Sequence, residues 1–158
     1  MDRFEVPIRR PSLVASGPAA GQRGGWRARL VIVPVAQFDL RAAEALEYSW
    51  RVPALEHRAL HVASDEQALW ALGREWMRRE PGLPLFTVED DGGVGETIAR
   101  VVRMELASGF DRVVVIVGRF ALGRRVHRLL HDRTSESIAG AVGPIPGALV
   151  GLMTVAAT

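Results

Sequence analysis

The sequence predicts an α/β domain: a five-stranded parallel sheet in the order 3-2-1-4-5, doubly wound, with helices on both faces. From residue 29 onward, short apolar runs alternate with segments of helical spacing, and the connections between them are short. The continuous β-branched run Val113–Val117 is typical of a parallel strand buried on both faces. This strand order puts a switch point between the first and fourth strands. The crevice formed by the turns after Val35 and Val117 is therefore the expected ligand site.

The domain is expected to span residues 28–158, preceded by a flexible N-terminal arm or linker over residues 1–27. The arm is rich in Pro, Gly, Ala, Ser and Arg and has no periodicity, as linkers often do. Phe4, Val6 and Ile8 alternate enough to permit a short edge strand within it.

The apolar runs and the helical spacing assign the elements in order. Strands are predicted at Leu30–Val35, Arg58–Ala63, Leu83–Val88, Phe110–Val117 and Gly147–Val155. Helices are predicted at Leu40–Trp50, after Ser64 up to Pro81–Gly82, at Gly95–Ser108 and at Leu122–Ala141. The last strand is apolar and is expected at the edge of the sheet.

The second helix has the clearest local signals. Ser64 followed by Gln67 three residues later predicts a capping box. The helical spacing then predicts a buried stripe made of Leu69, Leu72, Trp76 and Met77.

Composition excludes several classes of function. The chain has 158 residues and no cysteine, which excludes disulfides and thiolate metal sites. Its 20 basic residues are all arginine, but the net charge is only +2 and no aromatic platform accompanies them, so nucleic-acid binding is not expected. No signal peptide or membrane-spanning run is found, which favours a cytoplasmic domain without direct membrane insertion.

An arginine-rich turn is predicted after the fourth strand. Gly118 and Gly123 bracket this turn, and Arg119, Arg124 and Arg125 surround it. Glycines give backbone access and arginines bind phosphate through two donors, so the segment is a candidate anion site. The alternative is a tight turn followed by a solvated basic helix face.

Several stretches carry a family resemblance over residues 29–158. They are VIVPVAQFDLRAAEALEYSWRV, ALHVASDEQALWALGREW, VVVIVGRF and VHRLLHDRT. In the residues of these motifs and in their spacing, the chain resembles the universal stress protein (HUP-like) fold. Within that fold it is most similar to the cytosolic C-terminal domain of bacterial amino-acid/potassium permeases of the APC superfamily.

The resemblance implies a nucleotide site, although the usual ATP motif is altered. Ala36 stands where ATP-binding universal stress proteins have an aspartate, and Ala121 replaces a glycine. Asp132 and Arg133 replace the final Gly-Ser of the phosphate loop, so ATP binding in the usual mode is not expected. Some permease tails of this type are implicated in binding cyclic di-AMP, and the resemblance extends that possibility to this chain.

Further candidate residues follow from the resemblance. The strand ends that would wrap an adenine ring are Pro34, Val35, Ala36, Val62 and Ala63. Beside the switch point the candidates are His131, Asp132, Arg133 and Thr134. Core packing and local bonding explain these positions equally well. His127 and His131 share a helix face, but without a convincing third ligand no metal site is predicted.

The sequence therefore predicts a non-enzymatic regulatory domain with a site for ATP, AMP or cyclic di-AMP. No nucleophile elbow, Walker lysine or paired carboxylates are found, so catalysis has little support. A homodimer through the fifth strand and a membrane transporter as partner are expected. One alternative is a protein–protein interaction module with a vestigial pocket, and another is an enzyme of the adenine-nucleotide hydrolase type.

Overall fold

The computed structural model describes residues 2–4, 28–121 and 133–156. The strands are β1 (Asp2–Phe4), β2 (Arg29–Pro34), β3 (Glu56–Ala63), β4 (Leu85–Glu89), β5 (Arg112–Ala121) and β6 (Ala148–Ala156). The helices are α1 (Leu40–Ser49), α2 (Glu66–Arg79), α3 (Val94–Ala107) and α4 (Arg133–Val142). The predicted fourth helix began at Leu122, and its residues 122–132 lie outside the described part of the chain.

The sheet confirms the predicted fold class. Its order is β1-β4-β3-β2-β5-β6, so the five long strands follow the order 3-2-1-4-5, and all of them are parallel. Ile32 on the central strand β2 is in register with Arg58 on β3 and with Val115 on β5. β1, which falls within the predicted arm, adds a short antiparallel edge strand to β4.

In the part of the chain that the structure describes, each face of the sheet is covered by one pair of helices. Helices α1 and α2 pack against Val31 and Val33 of β2, whereas α3 and α4 pack against Leu30 and Ile32. Side chains alternate between the two faces of a strand, so a central strand covered on both sides must be apolar throughout. The β-branched run of β5 is explained in this way.

Two details of α2 differ from the sequence prediction. The N-cap is Asp65, not Ser64, because the Asp65 carboxylate accepts a hydrogen bond from the Gln67 amide at 2.9 Å. Met77 is 65% exposed, whereas Trp76 is buried and donates its indole N–H to the Leu83 carbonyl at 3.0 Å. The buried face therefore centres on Leu72 and Trp76.

Strand β5 is longer than the sequence predicts. It continues past Val117 to Ala121 because β6 supplies a parallel partner along this whole length. Gly118 is paired with Met153 and Arg119 with Thr154, so the predicted turn at Gly118 is wrong. The Arg119 guanidinium donates to the Thr154 hydroxyl at 3.2 Å. Gly118 interrupts the apolar run of the sequence, but the strand continues through it.

Strand β6 lies at the edge of the sheet, as predicted. Leu149 is 54% exposed and Leu152 is 44% exposed. Their register partners Val114 and Val117 point to opposite faces of the sheet, so each face has an exposed leucine at this edge. Within the described ranges, no helix combines the length and the apolar character that crossing a membrane requires.

Candidate functional site

A cavity of about 280 Å³, here called the switch-point cavity, lies where β2 and β5 reach their carboxyl ends. Pro34 and Val35 form its wall at the end of β2, and Leu60 and Val62 of β3 extend that wall. Val117 and Gly118 contribute from β5. The chain leaves β2 toward one neighbouring strand and β5 toward the other, and this divergence opens a crevice between them.

Helices α3 and α4 close one side of the cavity. Val94 and Ile98 of α3 line it together with Thr134, Ser135 and Ile138 of α4. The two helices touch closely at Gly95, where a Cβ atom would lie 2.6 Å from the Ser137 carbonyl oxygen. A side chain at position 95 would push α4 away from α3, so this glycine permits the close packing of the two helices.

The first turn of α1 supplies the charged part of the wall. Asp39, Arg41 and Gln37 line the cavity here, beside Ala36 and Ala42. One oxygen of Asp39, Oδ1, caps the helix by accepting the Ala42 amide at 3.0 Å. The other, Oδ2, accepts from Arg41 Nε at 2.9 Å and from an Arg41 terminal nitrogen at 2.6 Å. Gln37 also donates to Oδ2, at 3.3 Å.

These contacts control the ionisation of Asp39. Partial burial by itself raises the pKa of this carboxyl. The hydrogen bonds from Arg41, the Ala42 amide and Gln37, together with the charge of Arg41, lower the pKa by more than burial raises it. The net result is a pKa below the ordinary value of 3.8. Asp39 is therefore a carboxylate at neutral pH, and the wall carries one negative and one positive group side by side.

Gly118 allows α1 to approach β5. A Cβ atom at this position would lie 2.6 Å from the carbonyl oxygen of Arg41. From the sequence, this glycine is predicted either to give a phosphate access to the backbone or to form a tight turn. Among the described residues, the close neighbour of the position is the backbone of α1, which explains the glycine by packing.

The loop between β2 and α1 is anchored on both sides. His61 Nδ1 donates to the Val35 carbonyl at 2.8 Å when that nitrogen carries the proton, and this bond holds the end of β2. Phe38 packs edge-on against Trp76 with ring centroids 5.6 Å apart, and the Arg79 guanidinium lies 4.9 Å above the Phe38 ring. These contacts place the rim residues Ala36 and Gln37 on a supported loop.

The structure brings some of the predicted residues together and leaves others apart. Those that line the cavity are Pro34, Val35, Ala36, Val62, Gly118 and Thr134. Ala63, Arg119 and Arg133 are described but do not belong to its wall. Gly123, Arg124, Arg125, His131 and Asp132 lie outside the described residues, and so does His127.

The charged pair Asp39 and Arg41 is not predicted from the sequence as part of the site. In the resemblance to ATP-binding universal stress proteins, Ala36 occupies the position of their aspartate, three residues before Asp39. A readable signal was present, because Asp39 immediately precedes the helical pattern that starts at Leu40, the position where a capping aspartate is expected.

The acidic turn after β4 is held by local bonds. Asp90 accepts from the Gly93 amide at 2.8 Å, and its Oδ1 lies 3.4 Å from the Thr97 hydroxyl, which donates to it. Asp91 pairs with Arg100 at 2.7 Å. These bonds shape the turn that leads into α3. Groups of three or more potential metal ligands are not found in residues 2–4, 28–121 and 133–156.

The lining of the switch-point cavity combines the apolar ends of β2, β3 and β5 with polar and charged groups at the start of α1. A search of curated proteins finds no match to the chain. The sequence model of the family described as the KimA potassium transporter C-terminal domain matches residues 27–155, which is nearly the whole described domain. The chain therefore belongs to the family of KimA potassium transporter C-terminal domains.

Proposed function

We propose that the chain is a non-enzymatic, cytoplasmic regulatory domain of a potassium transporter that binds an adenine nucleotide in the switch-point cavity. The observation that carries this proposal is the position of the cavity at the carboxyl ends of β2 and β5. Parallel α/β sheets bind ligands at this topological point. Family membership supports the transporter as the partner. The universal stress protein resemblance supports adenine as the base.

The size of the cavity restricts the ligand. Its volume of about 280 Å³ is near the lower end of small-molecule pockets, which begin at about 300 Å³. The apolar strand ends Val35, Val62 and Val117 suit a flat base, and the polar rim at α1 suits a sugar or phosphate. This space fits one nucleoside unit. In cyclic di-AMP, one adenosine would enter the cavity and the other would extend beyond it.

Regulation by such a ligand needs no chemical step. A nucleotide that binds one arrangement of domain and transporter more tightly than another shifts the equilibrium toward that arrangement. The domain would then act as the sensor, and the membrane part of the transporter would respond.

Thermal unfolding of the purified chain against AMP, ATP and cyclic di-AMP tests the proposal, with cyclic di-GMP as a base control. A ligand at about 100 times its dissociation constant adds roughly 2.7 kcal/mol of stability. For a chain of this size that raises the midpoint by on the order of 5–10 °C. If no adenine nucleotide raises the midpoint, the proposal is wrong.

A blocking variant locates the binding. Ala36 is exposed at the rim of the cavity, so Ala36→Trp fills the entrance without burying a larger side chain in the core. Ala68→Trp, at an exposed position on α2, is the matched control. The midpoint shift should disappear in the first variant and persist in the second. ATP turnover above background would favour the hydrolase alternative.

A second candidate function is self-association through β6. The observation that favours it is an edge strand with Leu149 and Leu152 both exposed, since unpaired edges of this kind readily accept another strand. Light scattering after size exclusion should show a dimer that Leu149→Glu disrupts. Met104→Glu is the control at another exposed apolar side chain, 58% accessible, on α3. A monomer at micromolar concentration would rule this candidate out.

A further inference from the structure

Asp39 and Arg41 are the two formally charged side chains among the described residues that line the switch-point cavity. Both are partly buried, with 21% of the Asp39 side chain and 25% of the Arg41 side chain exposed. A ligand entering the cavity can reach them, and partial removal from water strengthens charge-assisted hydrogen bonds there.

The geometry of the pair favours Arg41. Its Nε and one terminal nitrogen form the side of the guanidinium that matches two oxygens of a carboxylate or phosphate. Here both nitrogens converge on the single oxygen Oδ2 of Asp39, at 2.9 and 2.6 Å. Oδ1 is turned toward the Ala42 amide to cap α1. The side-by-side arrangement of two parallel hydrogen bonds is therefore not formed within the pair.

A phosphate group would fit this side of the guanidinium better, because it presents two equivalent oxygens that need not cap a helix. The exchange would leave α1 intact, since Oδ1 of Asp39 can keep its bond to the Ala42 amide. The backbone of Arg41 is fixed against β5 at Gly118.

We propose that Arg41 binds the phosphate of the nucleotide in the switch-point cavity, and that Asp39 holds the guanidinium in place when the cavity is empty. This inference rests on the proposed function. It assigns phosphate recognition to the first turn of α1, whereas Gly123, Arg124 and Arg125 of the predicted arginine-rich turn lie outside the described residues. Asp39 then competes with the ligand for Arg41 and lowers the affinity for anionic ligands.

The test is the ratio of AMP affinity to adenosine affinity, measured by calorimetry on the intact chain. Arg41→Gln should lower this ratio about 10- to 100-fold, the range expected for a charge-assisted hydrogen bond. Arg41→Lys should lower it less, since the charge remains but the planar pair of donors is lost. Arg51→Gln is the control, because Arg51 is 70% exposed and pairs only loosely with Glu47, at 3.7 Å.

Asp39→Asn gives an opposite and independent prediction. The asparagine oxygen can still cap α1, but it no longer holds Arg41 by charge, so the ratio should rise. Parallel titrations with cyclic di-AMP distinguish a phosphodiester from the monoester of AMP.

Three outcomes would overturn the inference. An unchanged ratio in Arg41→Gln would exclude Arg41 from phosphate recognition. A lower ratio in Asp39→Asn would show that Asp39 supports binding and does not compete with the ligand. If neither calorimetry nor thermal unfolding shows binding of AMP, ATP or cyclic di-AMP to the wild type, the proposed function itself fails, and the role of Arg41 fails with it.

Discussion

Replacing Gly118 by alanine tests how closely α1 and β5 pack beside the cavity. The new Cβ atom would lie 2.6 Å from the Arg41 carbonyl oxygen and 3.1 Å from the carbonyl carbon. These are backbone atoms, so no side chain can rotate away, and α1 or β5 must shift by several tenths of an ångström. Overpacking a tight site costs about 1–3 kcal/mol, and a backbone neighbour places this case at about 2–3 kcal/mol.

Thermal unfolding measures this loss directly. A destabilisation of about 2–3 kcal/mol in a chain of this length lowers the midpoint by roughly 4–12 °C. The matched control is Gly151→Ala on the neighbouring strand β6, where the nearest contact of the new Cβ would be Ile116 at an ordinary 3.9 Å. An unchanged midpoint in Gly118→Ala, or an equal fall in both variants, would refute the packing argument.

Further substitutions test the partly buried ion pair between Arg58 on β3 and Glu105 on α3, the ionisation of Asp39 and the N-cap of α2. Arg58→Ala removes the guanidinium that lies 2.7 Å from Glu105, and the Glu105 side chain is only 13% exposed. The variant should therefore lower the free energy of unfolding in urea by about 2–4 kcal/mol. The double variant Arg58→Met/Glu105→Leu should lose less stability than Arg58→Ala, because no buried charge is left without a partner. An equal loss of stability in the two variants would contradict this reasoning. The lowered pKa of Asp39 means that its ionised form adds stability above about pH 4, which disappears as the pH falls through the folded-state pKa. The stability difference between wild type and Asp39→Asn should therefore narrow on acidification. A difference that widens would show that folding raises the pKa of Asp39. Asp65→Ala should destabilise α2 by about 1 kcal/mol while Ser64→Ala has little effect, and the reverse order would restore Ser64 as the cap.

The strand order was predictable because it follows from local patterns and chain geometry. The β-branched run of β5 signals burial on both faces, and the alternation with helices leaves right-handed crossovers as the standard connection. Element ends were harder to predict. Gly118 breaks the apolar run, yet β5 continues to Ala121, because β6 provides its hydrogen-bonding partner from a segment about 35 residues later.

The candidate site was predictable in position but only partly in composition. Pro34, Val35 and Val62 follow from where their strands end, and the structure places all three in the cavity wall. Asp39 and Arg41 enter the wall because α1 folds back against β5. That approach depends on a glycine in a distant strand, so the pattern around α1 alone does not indicate it.

By itself, the sequence determined the fold class, the order of the parallel strands and the edge where a ligand site would lie, because hydrophobic periodicity and crossover handedness are properties of neighbouring segments. Only the tertiary structure decided which charged groups face the cavity, why Gly118 is a glycine and where β5 ends. These features depend on contacts between residues far apart in the chain, such as Arg41 with Gly118 and Gly95 with Ser137. The physical reason is that close packing is set by the joint position of two elements, which the pattern of either one does not contain.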